Sequence, residues 1–171
     1  EFSLAALTTS LMGGCMMVAD KDLLDVRRLP VPHGLFLVIA YPTMDIAPIP
    51  FETISNLQSS SKLAIEQSRM LASFFWAMYR SDLELIGKSI QSPLFSVFHE
   101  EQFPFFKSTK EEAIKAGALA VDLCSNGPGI FALCTGTIAA EKCSTVMKQS
   151  FKEFNLRAKI ITSTINNEGA F

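Results

Sequence analysis

A chain of 171 residues is long enough for one hydrophobic core, burying roughly 70% of its unfolded surface, and too short for two ordinary domains. Its 49% apolar and 19% charged residues mark a globular composition and exclude a disordered one, and a formal charge of −2 offers no basic footprint for nucleic acid. Four cysteines without a CxxC pair, with only His33 and His99 to help them, give no zinc-type cluster.

The chain opens on Glu1-Phe2 without an initiator methionine, which reads as the inside of a longer product or as a cloning remnant. Leu4 to Val18 is apolar, but no lysine or arginine precedes it, which disfavours a secretory leader. Leu35 to Tyr41 is the longest apolar run with strand character. It falls far short of the roughly 20 residues that cross a bilayer, so it is a buried strand and no membrane association is expected. Pro42, Pro48 and Pro50 then impose a loop, because each lacks the N–H that a helix interior or a ladder needs.

A helix is predicted from Ser60 or Ser61 to about Arg80, with Leu63, Leu71, Phe74, Phe75 and Met78 at helical spacing and Trp76 and Tyr79 flanking that stripe. The aromatic cluster reads as core packing. Leu83, Ile86 and Ile90 mark a second, short helix that ends before Pro93, and the phenylalanine-rich stretch to Lys107 has no pattern. Ser108 and Glu111 form a capping box for a third helix whose C-terminal end suits Gly117.

Ala118 to Cys124 and Ile130 to Cys134 read as two strands joined by Ser125-Asn126-Gly127-Pro128-Gly129, a tight connection with two flexible points and one rigid one. On the residues alone a hairpin turn is the plain reading, since glycine that allows positive φ is the default there. Cys143, Val146, Met147, Phe151 and Phe154 mark a last amphipathic helix, and Ala158 to Thr162 a last strand. Lys110, Lys115, Lys142, Lys148 and Lys152 lie on solvated helix faces. Free thiols in a reducing compartment account for the cysteines, with a disulfide between strand cysteines left open. From Leu35 onward the order is strand, helices, strand, strand, helix, strand. That is the α+β, ferredoxin-like split β-α-β arrangement.

The run Gly117 to Cys134 resembles the third glycine-rich motif of the GHMP small-molecule kinases, and specifically that of the homoserine kinases. Leu11-Met12-Gly13-Gly14, Leu24 to Pro32, Asp82 to Ser89, Glu112-Ala113 through Leu119, and Ile165 to Ala170 follow that family in order and spacing. The resemblance implies residues 1–30 as the tail end of the GHMP N-terminal domain, with remnant strands at Gly14 to Val18 and Leu23 to Arg28, and 31–171 as the ferredoxin-like C-terminal domain. It implies an ATP-dependent phosphorylation of homoserine on the way to threonine, with ATP and magnesium as cofactors, in the cytoplasm. Ser125, Asn126, Gly127, Pro128 and Gly129 would support the phosphate loop, whose main part lies in the half that these 171 residues lack.

The departures from the family matter as much as the matches. Ser3-Leu4-Ala5-Ala6 stands where the family carries a polar HxDN segment, and Cys124-Ser125-Asn126 replaces alternating serine and glycine. Glu52 and His99 stand where the family has arginines on the substrate's carboxylate, and neither reproduces a planar bidentate bond. One such ion pair is worth about 4 kcal/mol, the whole binding free energy of a millimolar ligand. His99 beside Glu100 and Glu101 reads otherwise as an exposed loop, and no Ser/His/Asp triad is supported. The chain is therefore expected to be the C-terminal portion of a homoserine kinase-like protein, inactive alone and without catalytic or metal-binding residues of its own. The alternative is a degenerate, non-catalytic domain serving dimerisation or regulation of a kinase. An uncovered apolar face should lead to self-association or pairing with a missing N-terminal half.

Overall fold

The structure is a computed structural model that describes residues 4–43, 46–47, 60–92, 102–124 and 127–170. Among these, helix α1 (Leu4–Met12) leads into the strands β1 (Cys15–Asp20) and β2 (Asp25–Leu29), which pair antiparallel as a separate two-stranded sheet. Strand β3 (Leu35–Pro42) is followed by helices α2 (Ser61–Arg80), α3 (Leu83–Ser89) and α4 (Phe105–Lys115). Strands β4 (Ala120–Leu123) and β5 (Ile130–Thr135), helix α5 (Gly136–Glu153) and strand β6 (Ala158–Thr164) complete the order.

The large sheet runs β4-β5-β3-β6 with every neighbour antiparallel. Two crossovers, β3 to β4 and β5 to β6, each skip one strand, which is the ferredoxin-like topology. Register sorts the side chains. Val38 pairs with Ala132 and Ala40 with Ile130, so these point to one face; Leu37 pairs with Leu133 and Ile39 with Phe131, so these point to the other.

The first face carries the main core, formed with α4 and α5. Phe103, Phe105, Phe106, Met147 and Phe151 enclose it, and the Phe105 and Phe151 rings lie 4.8 Å apart. Where the helices meet, Thr109 Oγ1 donates to the Phe105 carbonyl at 2.8 Å and Cys143 Sγ donates to the Ala113 carbonyl at 3.5 Å. Among the described residues the second face is covered in part, by the C-terminal end of α2, by α3 and by the small sheet, through Leu29, Ala77, Met78, Ile86 and Leu133.

Three expectations need correction. Helix α4 begins at Phe105 with Pro104 at its N-cap and no side-chain cap bond. Ser108 thus lies inside the first turn, where its hydroxyl meets that of Ser150 at 3.2 Å, and the capping box does not form. The aromatic cluster of α2 is divided: Phe74 and Phe75 pack on the second core, whereas Trp76 and Tyr79 are 64% and 67% exposed. A helix has more apolar periphery here than the sheet has face to cover. Leu4 to Met12, expected only as an apolar run, is a helix with no buried residue. The four cysteines are free thiols, Cys134 and Cys143 buried side by side between β5 and α5. Among the described residues no helix is long and apolar enough to cross a membrane.

Candidate functional site

The glycine loop closes the β4–β5 hairpin. The Cys124 N–H donates to the Gly129 carbonyl at 2.7 Å, and the Gly127 N–H donates back to the Cys124 carbonyl at 3.0 Å. Gly127 has φ of 83°, in the left-handed region. A Cβ there would stand 2.5 Å from two atoms of the Phe103 ring, and one on Gly129 would stand 2.7 Å from Cδ2 of Tyr41. Pro128 between them is fully buried. The Gly127 amide is therefore turned inward and satisfied within the hairpin. Ser125, Asn126, Glu52 and His99 lie outside the described residues.

Beside the loop, on the second face of the sheet, is a cavity of about 370 Å³. The sheet contributes Leu37, Ile39 and Phe131 to its wall, the helices Phe74, Met78 and Ile86, and the small sheet Cys15 and Met16. Its size is that of a small-molecule pocket, yet among the described lining residues none is charged and the hydroxyl of Thr9 is the polar exception. Cys124 joins the loop to the cavity wall. Burial, with the nearby Asp122 carboxylate adding to it, pushes the Cys124 thiol up to about 11, and burial also raises Cys15. Both thiols are held protonated, and neither is an activated nucleophile.

Segments far apart in the chain meet around this cavity. The Asp82 carboxylate caps α3 by accepting from the Leu85 N–H at 3.0 Å, and Gly87 lets α3 approach the Leu119 carbonyl, where a Cβ would stand 2.5 Å away. At the opposite wall the C-terminal segment folds onto the end of α1. The Gly14 N–H donates to the Asn166 carbonyl at 2.7 Å and the Ala170 N–H to the Ser10 carbonyl at 3.0 Å. Arg28 ties both together, donating to the carbonyls of Met12 and Asn167. Gly13 and Gly169 have positive φ and approach so closely that a Cβ on either would collide with the backbone of the other segment.

Sequence reasoning isolated Leu11 to Gly14 and Ile165 to Ala170 but did not pair them. The glycines were the available signal, since each sits where no side chain fits. The cavity had no signal at all, because its wall is ordinary apolar surface drawn from six elements and the connecting segments. Among the described residues no group of three His, Cys, Asp or Glu side chains could hold a metal ion.

Residues 74–153 match the family described as GHMP kinases C terminal. The chain is 24% identical over 163 residues to the homoserine kinase of Chlorobium phaeobacteroides, covering 94% of this chain and 51% of that protein. It is 25% identical over 142 residues to that of Buchnera aphidicola subsp. Cinara cedri, covering 83% of this chain and 45% of that one. The solved homoserine kinase from Cytophaga hutchinsonii superposes with a TM-score of 0.87 at 31% identity, over 95% of this chain and 52% of that one. An L. major mevalonate kinase, solved in complex with R-mevalonate, shares the fold at a TM-score of 0.64 and 12% identity, over 85% of this chain and 47% of that one. The chain thus spans about half the length of the curated relatives it matches.

Proposed function

We propose, from the premise that this chain carries a GHMP kinase C-terminal domain, that it is the C-terminal portion of a homoserine kinase-like protein and completes an active site with an N-terminal half like that of its relatives. Residues 1–30 then belong with that half and 31–171 form the C-terminal domain. The observation that carries the reading is the seating of the glycine loop on Phe103 and Tyr41 at the β4–β5 turn, within a fold that follows the Cytophaga homoserine kinase over 95% of this chain. Phosphoryl transfer depends mainly on positioning and on neutralising charge, and a packed hairpin supplies position.

It supplies little charge. The Gly127 amide is already bonded, and the described residues that line the cavity, Thr9 apart, are uncharged and apolar. ATP and magnesium are therefore assigned to the other half, and the described residues here act by holding the loop and closing the pocket wall. The reading carries with it a place in threonine biosynthesis and a cytoplasmic location. The cavity also supports a second reading, a non-catalytic relic that binds or regulates a kinase, because among the described lining residues none is charged to hold an amino acid's carboxylate.

The deciding experiment measures ATP-dependent phosphorylation of homoserine by this chain alone and after co-expression with the N-terminal half of the Cytophaga enzyme. The first reading expects no turnover alone and turnover in the complex. Turnover by the chain alone overturns the need for a second half, whereas a stable complex without turnover supports the relic.

A further inference from the structure

The antiparallel pairing of β3 with β5 sets Ala40 opposite Ile130, and one further step of that register sets Tyr41 opposite Gly129. On the other side of β5, Leu123 lies opposite Ile130, and the same step brings Cys124 opposite Gly129, where its N–H bonds to the Gly129 carbonyl at 2.7 Å. Tyr41 is itself level with Lys159 of β6. Cys124, Gly129, Tyr41 and Lys159 therefore form the end row across all four strands, and residues directly opposite share a face. It is the face of the cavity, whose wall includes Leu37 and Ile39 at two-residue intervals before Tyr41.

Glycine leaves a gap in such a row, because it has no side chain to pack. Tyr41 fills it. Its Cδ2 and Cε2 lie 2.7 and 3.2 Å from where a Cβ on Gly129 would stand, so the ring occupies the place of the missing side chain. An aromatic ring laid over a neighbouring glycine is how a sheet covers such a gap. Gly127, two residues earlier, meets a different ring, that of Phe103 in the main core. The two limbs of the loop are thus seated on rings from separate parts of the chain, one 1% exposed and the other 48%.

We propose that Tyr41 is a positioning residue: its ring, acting through Gly129, holds the C-terminal limb of the glycine loop and so fixes where that loop meets a phosphate-bearing substrate. The use for phosphate rests on the kinase reading above. The ring acts rather than the hydroxyl, since its carbon atoms make the contact. Misplacement by about 1 Å is enough to slow a reaction that depends on position. A half-exposed ring also adds little to the core, so its loss should loosen the loop without unfolding the domain.

Amide exchange followed residue by residue in the purified chain reads the loop directly, since the Cys124 and Gly127 amides are bonded within the closed hairpin. Tyr41→Ala should speed exchange at both about fivefold and leave the thermal melt and the α5 amides of Cys143 and Met147 unchanged. Tyr41→Phe should match the wild type. Gly129→Ala, which pushes the ring away, should speed the same two amides, and adding Tyr41→Ala to it should change little further. Unchanged exchange in Tyr41→Ala, or equal acceleration in α5, overturns the proposal. In the complex with the N-terminal half of the Cytophaga enzyme, Tyr41→Ala should lower kcat about tenfold or more with KM for homoserine unchanged, while Tyr41→Phe keeps the wild-type value. A wild-type kcat in Tyr41→Ala overturns the positioning role. Absence of turnover in the wild-type complex sinks the kinase reading instead, and the exchange rates alone then decide whether Tyr41 holds the loop.

Discussion

Gly127 and Gly129 lie in the same loop and respond differently to an added methyl group. At Gly127 the methyl meets the Phe103 ring, which is 1% exposed and enclosed on all sides, and φ is left-handed as well. At Gly129 it meets Tyr41, which is 48% exposed and free to swing. Gly127→Ala should therefore cost about 1–3 kcal/mol and Gly129→Ala less than about 1 kcal/mol, as read by urea unfolding. Gly87→Ala reverses a rule: alanine normally stabilises a helix interior by about 1 kcal/mol, but here the methyl meets a backbone carbonyl that cannot rotate away, so the substitution should destabilise. Cys124 carries a pH signature. Its folded value of about 11 exceeds the ordinary 9.0, so the unfolded chain releases this proton first. Stability from this group is then complete below pH 9 and is lost as pH rises toward about 11. Unfolding titrations of the wild-type chain and of Cys124→Ser across that window should diverge, with the loss smaller in the variant.

At the scale of elements, α2 and α1 are the least supported. Ala77 and Met78, near the C-terminal end of α2, are buried, while residues 61–65 are exposed and held by the Ser60 hydroxyl accepting from the Leu63 N–H at 3.3 Å. Hydrogen exchange should accordingly run fastest at the N-terminal end of α2 and slow toward Met78, because tertiary packing rather than propensity stabilises most helices. Helix α1 is held by its end. Its own residues bury nothing, and the Asn166–Ala170 segment with Arg28 fixes it. Removing the guanidinium in Arg28→Ala should cost about 1 kcal/mol. The same change should raise exchange in α1 and in residues 166–170 together, and an increase confined to one of them would break the link.

For the molecule as a whole, the two faces of the large sheet differ in how far they are closed. The face on α4 and α5 is closed, so Phe151→Ala, at a fully buried ring against Phe105, should cost about 3–5 kcal/mol. The other face is partly open: Ile161 is 44% exposed, and its truncation should cost less than about 1 kcal/mol. The chain can thus fold around one finished core while the other face carries a cavity and exposed apolar surface.

Local pattern determined most of the elements, and the order of strands and helices from Leu35 onward was enough for the ferredoxin-like topology, because alternation and helical spacing are set by neighbours in sequence. The glycine motif was legible too, since only certain backbones need Gly127. Helix α1 escaped, having no buried stripe to mark it, and so did the start of α4, where the Ser108 hydroxyl turned to Ser150 on another helix. The division of α2 between core and solvent, the clamp of Asn166 to Ala170 on Leu11 to Gly14, and the uncharged cavity were decided by tertiary structure alone. Each depends on which surfaces meet across long stretches of chain, and periodicity carries no information about how much of an apolar face finds a partner.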